Sequence, residues 1–322
     1  MESGEAGLHR VDRCAAIARL LRQFQADYGI DAQELREVVL STSLPIPSRD
    51  SERDAPSQNQ EGDQGNLSLR IRCLGNFCVQ VSGQTIDHWR SSRARSVLKY
   101  LITRGRRPVS KDVLMEALWP GWDPPHANDN LKAAVRTLRE ALGSACGRPG
   151  TDSWVLYRGG SYLLNPEVDL WVDVEQFESH WQAGRQLEKE ARVDEAVSEF
   201  ESAVKLYGGD YLEDDLYEDW TLLHREGLKD TYLAMLGRLA DHSLRTADYH
   251  GCIAYCQKIL LKDHCREDAF QRLICCHSRL GQRNRAITWY RLCEATVRSE
   301  LGIEPSAPTV RLYQRLLGDE HV

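Results

Sequence analysis

The spacing of apolar residues changes character along the chain. In residues 8–40, Ile17, Leu20, Leu21 and Phe24 share one helical stripe that Tyr28-Gly29 breaks, and Leu35, Val38 and Val39 suggest a second. Residues 41–66 collect Ser, Pro, Gln, Asn, Asp and Gly, with almost no apolar side chains after Ile46, which predicts a flexible linker. From Leu67 the period becomes two. Leu69, Ile71 and Cys73 alternate, then Phe77, Val79 and Val81, with Ser82-Gly83 as a turn, so two or three short antiparallel strands are expected. A helix over 91–104 follows, with Val97, Leu98, Leu101 and Ile102 inward, and Pro108 ends that region. Ser110 is a good N-cap for a helix from Lys111 to Trp119 whose Val113, Leu114 and Leu118 face a core. Pro120 stops it, and Pro124-Pro125 mark a loop. A third helix is expected from about Ala127 to Leu142, ended by Gly143. Trp154 to Tyr157 and Tyr162 to Leu164 flank Arg158-Gly159-Gly160-Ser161, which reads as a hairpin with a glycine turn. Three helices and a hairpin, in that order, make a winged helix, here with strands in front.

Residues 171–318 read as helices throughout, and they repeat. Ala196, Cys252 and Ala286 each follow a short polar turn. Four residues later stand Phe200, Cys256 and Tyr290, and seven later Ala203, Ile259 and Cys293. Cys252 and Ala286 are 34 residues apart, the tetratricopeptide period. Twelve residues before each anchor stand Gly184, Ala240 and Ile274, where that repeat favours a small residue. Ala196 lies 56 residues before Cys252, so the first repeat carries an insertion, which holds the acidic run from Asp210 to Asp219. The fold class expected is therefore mainly α with small β. It divides into a helical extension over 1–40, a linker over 41–66, a winged-helix domain over 67–170 and a tetratricopeptide-like all-α domain over 171–318.

Composition narrows the function classes. Apolar residues at 42% and charged residues at 28% are ordinary for a globular chain, and no apolar run has membrane-spanning length. Met1 to Arg10 shows no apolar signal core, so a cytoplasmic protein without a membrane partner is expected. The net charge of −7 argues against nucleic acid until it is read by segment. Residues 67–170 hold 15 Lys/Arg against 9 Asp/Glu, a net +6, between flanks of −5 and −8. Phosphate binding needs a local basic face, not a basic whole. The ten cysteines include no CxxC pair. A zinc site from Cys252 and Cys256 with His264, Cys265, Cys276 or His277 is set below the simpler reading of reduced core thiols, so no metal or cofactor is expected. No G-x-x-x-x-G-K-[ST], G-x-S-x-G or H-E-x-x-H motif occurs, and no catalytic constellation is assigned.

The third winged-helix helix carries the candidate chemistry. At about 100° per residue, Asn128, Lys132, Arg136 and Arg139 share one face, beside an apolar stripe of Leu131, Val135, Leu138 and Leu142. Such a helix can enter a major groove, with Arg bidentate to guanine, Asn bidentate to adenine, and Lys132 neutralising phosphate. A solvated charged face is the simpler reading of the helix alone, and the winged-helix order around it favours the groove. Arg93 and Arg95 at the start of the first helix are phosphate-contact candidates. Arg104, Arg106 and Arg107 at its end are better read as complementing a helix C-terminus. On the wing, Arg158 and Tyr162 are candidates for phosphate or minor-groove contact, with packing the equal alternative for Tyr162.

Leu74-Gly75, Leu118-Trp119-Pro120, Leu138-Arg139-Glu140-Ala141-Leu142 and Arg158-Gly159-Gly160-Ser161-Tyr162 resemble the winged-helix output domain of OmpR-type regulators. Val168-Asp169-Leu170, Phe177 and Glu300-Leu301-Gly302-Ile303-Glu304-Pro305-Ser306 resemble the bacterial transcriptional activator domain. In this order, over about residues 68–318, they resemble the Streptomyces antibiotic regulatory protein family. That resemblance implies binding to double-stranded promoter DNA at direct repeats, self-association on DNA, recruitment of RNA polymerase, and control of biosynthetic gene clusters. Where the family has a second wing glycine this chain has Ser161, so a differently shaped turn is expected. The competing reading is a tetratricopeptide adaptor without specific DNA binding. The outward Lys132-Arg136-Arg139 face speaks against it, and salt-dependent retention on DNA separates the two.

Overall fold

The computed structural model describes residues 68–147, 154–215 and 218–318. The helices expected over 8–40 and the linker over 41–66 lie outside the described residues. The chain divides into two compact units, one ending at His242 and one starting at Ser243.

The first unit opens with β1 (Ser68–Arg72), β2 (Cys78–Val81) and β3 (Gln84–Thr85). β1 and β2 pair antiparallel with Leu69 opposite Val81 and Ile71 opposite Val79, all four buried. The expected turn holds: Ser82 and Gly83 both take positive φ, as a two-residue hairpin needs. A strand that the local pattern did not announce, β7 (Asp169–Val172), adds to β1 in parallel, giving the order β3-β2-β1-β7. Its partner lies a hundred residues away, so only the closed fold shows the pairing.

Between β1 and β7 sit α1 (Ser92–Thr103), β4 (Val109–Ser110), α2 (Lys111–Leu118), α3 (Pro124–Ala145), β5 (Val155–Arg158) and β6 (Ser161–Leu164). Ser91 and Ser110 cap α1 and α2, their hydroxyls accepting from Ala94 and Val113 N–H. Leu114 and Leu118 of α2 are buried as expected, but Val113 is 43% exposed. An eight-residue helix buries one stripe, here the i, i+4 pair Leu114–Leu118, and Val113 lies about 100° off it. α3 is longer than its sequence suggested. Pro124 and Pro125 begin it instead of marking a loop, because the first turn needs no N–H donor. Gly143 is buried inside it, and the chain reverses later, at Gly147 with φ 70°. Leu131, Val135, Leu138 and Leu142 are all buried where α3 packs on α1 and α2. The wing turn closes with Gly159 and Gly160 at φ 56° and 79°, so the two glycines meet the left-handed requirement and Ser161 can pair with Arg158. β6 also pairs with β4, making a three-stranded wing sheet.

The same unit continues into α4 (Asp173–Lys189), α5 (Val193–Leu206), a short 3-10 turn (Glu213–Asp215) and α6 (Asp219–Arg245), which runs past the boundary. α4 packs along α5, with Gly184 under the ring of Phe200: an added Cβ would stand 2.4 Å from that ring. The acidic insertion is a strap. Tyr211 bridges to Leu74, Leu212 N–H donates to Cys73 carbonyl at 2.9 Å, and Gly75 N–H donates to Asp210 carbonyl at 3.2 Å. Gly75 has φ 97°, and a Cβ there would come within 3.1 Å of the Gly208–Gly209 peptide. Asp173, buried at the first position of α4, accepts from Cys73 N–H at 2.8 Å and from Leu74 N–H at 2.9 Å. Burial pushes its carboxyl pKa up, against the pull of these backbone N–H groups. The ammonium of Lys99, fully buried on α1, pairs with Asp215 of the strap and sits 4.5 Å from the Phe77 ring centre. Arg225, also buried, donates to the carbonyls of Tyr211 at 2.8 Å and Asp215 at 2.9 Å, fixing the strap from α6.

The second unit contains the end of α6, then α7 (Tyr249–Lys262), α8 (Glu267–Arg279), α9 (Arg283–Leu301) and α10 (Ala307–Leu317). The repeat anchors Ala196, Cys252 and Ala286 are buried, as are Phe200, Cys256 and Tyr290 four residues on. Five residues before each anchor, Ala191, Ala247 and Gly281 take the same left-handed turn, with φ 60°, 60° and 72°. The segment after α9 ends that helix at Gly302, φ 67°, and starts the next at Ser306, whose N–H and hydroxyl donate to Glu267 of α8 at 2.8 and 2.7 Å. Among the described residues, no helix is long and apolar enough to cross a membrane.

Candidate nucleic-acid interface

With its apolar stripe in the core, α3 turns an opposite face to solvent. Lys132 and Arg136 are exposed there, at 62% and 84% of the side chain, and Asn128 is half-buried on the same side. Lys132 stands 3.6 Å from Asp129, and Arg136 Nε 3.0 Å from Glu140. Exposed pairs of this kind contribute about 0–1 kcal/mol and are screened by salt, so a phosphate or a base edge can displace the carboxylates.

The other expected site residues divide. Arg158 is exposed at the wing turn and keeps its candidate role. Arg139 points to the wing instead of outward, its Nε and Nη2 donating to Val155 carbonyl at 3.0 and 2.7 Å. It fastens β5 to α3 and so sets the angle between the helix and the wing. Arg93 donates to Leu118 carbonyl at 2.9 Å and lies 5.8 Å from the Trp119 ring, tying α1 to the end of α2. Arg95 is half-buried on α1. Tyr162 is buried, 7% exposed, and burial raises its hydroxyl pKa, which favours the packing reading. Its ring lies 4.7 Å from that of Tyr157, which is 50% exposed and was not singled out from the sequence. The strand register that makes Tyr157 and Tyr162 cross-strand neighbours was the available signal.

Five of the nine described cysteines are buried in the core, and Cys78, Cys146, Cys265 and Cys275 are half-buried. Cys252, Cys256, Cys276 and Cys293 are buried on α7, α8 and α9. The Cys252 thiol touches those of Cys256 and Cys276 and, with burial, drives both of their pKa values far up; burial pushes Cys293 up to about 12. Among the described residues, no group of three His, Cys, Asp or Glu is arranged to hold a metal ion.

A three-helix bundle closed by a β-hairpin, its third helix buried on one side and basic on the other, followed by paired helices with repeat-equivalent turns, defines a winged-helix protein joined to a tetratricopeptide-like domain. Comparison with known proteins agrees. The family described as transcriptional regulatory protein, C terminal, matches residues 87–164, and the bacterial transcriptional activator domain matches residues 172–317. The transcriptional regulatory protein EmbR of Mycobacterium tuberculosis is 27% identical over 255 residues, 77% of this chain and 63% of its own length. The regulatory protein DnrI of Streptomyces peucetius is 24% identical over 253 residues, 77% of this chain and 92% of its own. The transcriptional regulatory protein MoaR1 of Mycobacterium tuberculosis is 24% identical over 253 residues, 78% of this chain and 79% of its own. A solved structure, Mycobacterium tuberculosis EmbR in complex with low affinity phosphopeptide, shares the fold with a TM-score of 0.64 at 23% identity, over 80% of this chain and 66% of that one. The chain belongs to the family of regulators of the Streptomyces antibiotic regulatory protein type. It spans 63% of the length of the EmbR relatives it matches.

Proposed function

We propose that this protein is a cytoplasmic, sequence-specific transcriptional activator, not an enzyme, that reads promoter DNA with α3 and the wing. The observation that carries the reading is α3 itself, with four apolar residues in the core and Asn128, Lys132 and Arg136 outward. In this reading Arg136 and Asn128 meet base edges, Lys132 meets phosphate, and Arg158 with Tyr157 follows the flanking backbone or minor groove. The acidic helical domain contacts protein, with RNA polymerase the partner implied by the family, and copies bind side by side on direct repeats of a promoter, such as that of a biosynthetic gene cluster. Head-to-tail copies need different surfaces on each neighbour, which a two-domain chain supplies.

Two substitutions test the assignment on the full chain. Arg136→Ala should relax sequence preference, with a loss of about 1–3 kcal/mol on the specific site only. Lys132→Ala should weaken binding to all sequences alike and reduce the salt dependence of affinity. Equal losses on specific and random DNA for Arg136→Ala would move it to phosphate. Salt-insensitive, negligible DNA binding by the parent chain would favour the adaptor reading. Inserting half a helical turn between direct repeats spaced about 10–10.5 bp apart should abolish activation while leaving each repeat bindable.

A further inference from the structure

A cavity of about 520 Å³ lies between the end of α1 and the start of α4, within the first unit. Its apolar wall is Ile102, Val172 and Val174, with the ring of Tyr211, whose hydroxyl bonds to Thr103 at 2.6 Å. Two elements bring opposite charges to it. α4 supplies Glu175 and Glu178, one turn apart, and the end of α1 and its turn supply Arg104 and Arg107. These charges do not pair with one another. Among the described residues no cation or hydrogen-bond donor reaches Glu178, although it is half-buried. Arg107 has no acidic partner among them, and the Arg104 guanidinium, which also has none, donates to the Tyr100 hydroxyl at 3.1 Å and lies 5.5 Å from that ring's centre. Burial without a partner pushes the Glu178 carboxyl pKa up and that of the facing His224 down.

A carboxylate withdrawn from water with no partner is a cost that a bound cation would remove. The volume falls within the usual range for small-molecule sites, about 300–1,000 Å³. We propose that this cavity is an effector site for a small zwitterion with an apolar body, its ammonium group held by Glu175 and Glu178 and its anionic group by Arg104 and Arg107. The ligand would join α1 to α4. Because α1 packs directly on α3, occupancy would reach the DNA-reading helix through that contact.

The test titrates the full chain, without DNA, with three probes of one shape: L-tyrosine, tyramine and 3-(4-hydroxyphenyl)propionate, followed by calorimetry or ligand-observed NMR. L-tyrosine should bind saturably at one site, and the two singly charged probes about tenfold or more weakly. Glu178→Gln and Arg107→Gln should each weaken L-tyrosine by about tenfold or more. Glu178→Gln removes a partnerless carboxylate, so its unfolding midpoint should equal or exceed the parent's, which separates lost binding from lost fold. Arg107 is exposed, so its variant should also stay folded. Absence of saturable binding by all three probes, equal or tighter binding of a singly charged probe, or parental affinity in both variants would overturn the proposal. None of these outcomes bears on DNA recognition, which is measured separately.

Discussion

The buried pair between Lys99 and Asp215 is the most exacting test of how the strap holds the winged helix. Lys99 has 0% side-chain exposure and Asp215 has 15%. Among the described residues, Asp215→Ala leaves the ammonium in the core with the face of Phe77, 4.5 Å away, as its favourable partner. Removing one member of a buried pair costs about 3–5 kcal/mol, because the remaining charge is uncompensated. Water entering at the slightly exposed Asp215 position offsets part of that, so a loss near 3 kcal/mol is expected, more than a hundredfold in the folding equilibrium. Lys99→Met, which removes the charge that is fully buried and leaves the carboxylate that reaches solvent, should cost less. The double variant Lys99→Met/Asp215→Leu should lie within about 1 kcal/mol of the parent, since apolar replacement of a buried pair is often neutral or stabilising. Urea unfolding of the full chain, followed by Trp fluorescence and analysed as a double-mutant cycle, measures all three. A loss below about 1 kcal/mol for Asp215→Ala, or a double variant less stable than either single one, would refute the argument.

Three further outcomes are expected. Arg139→Ala should lower stability by about 1.5–3 kcal/mol by removing charge-assisted bonds to the Val155 carbonyl, and should weaken specific and random DNA alike; a change confined to base preference would show that it reads sequence. Gly184→Ala should cost about 1–3 kcal/mol by thermal unfolding, because its Cβ would press on the Phe200 ring; an unchanged midpoint would mean that α4 and α5 separate freely. The Asp268 carboxyl is only partly shielded by burial, which raises its pKa, and its bonds to Arg266 and Arg272 outweigh that, holding the pKa down at about 2. A depressed carboxylate stabilises above its unfolded pKa, so this contribution is present above about pH 4 and is lost as pH falls toward about 2. Asp268→Asn should therefore flatten the acid side of the stability profile in that window, and an unaltered profile would remove Asp268 from the acid response.

Local periodicity determined much of this protein. The alternation Leu69–Ile71 and Val79–Val81, the serine caps of α1 and α2, the apolar stripe of α3 and the repeat anchors from Ala196 to Cys293 are short-range patterns. Each element had to bury that stripe or strand face, so the elements and their inward residues were legible before any packing was known. Element ends were less so: Pro124 and Gly143 carry signals that suit either a boundary or a first turn and a packed interior, and only the neighbours of α3 choose. The candidate DNA-contact residues divided for a different reason. Helix phase places Asn128, Lys132, Arg136 and Arg139 on one face, but a guanidinium reaches several ångströms from its Cα, and Arg139 finds the carbonyl of a residue 16 positions later. Arg93 likewise met a partner that no spacing predicts, the Leu118 carbonyl. Longer separations were invisible altogether: Asp173 satisfies backbone N–H groups 99 and 100 residues back, and Lys99 meets a carboxylate 116 residues on. Sequence period records what each segment must hide from water. Which polar groups are then left within reach of one another is decided only when the segments close into one unit.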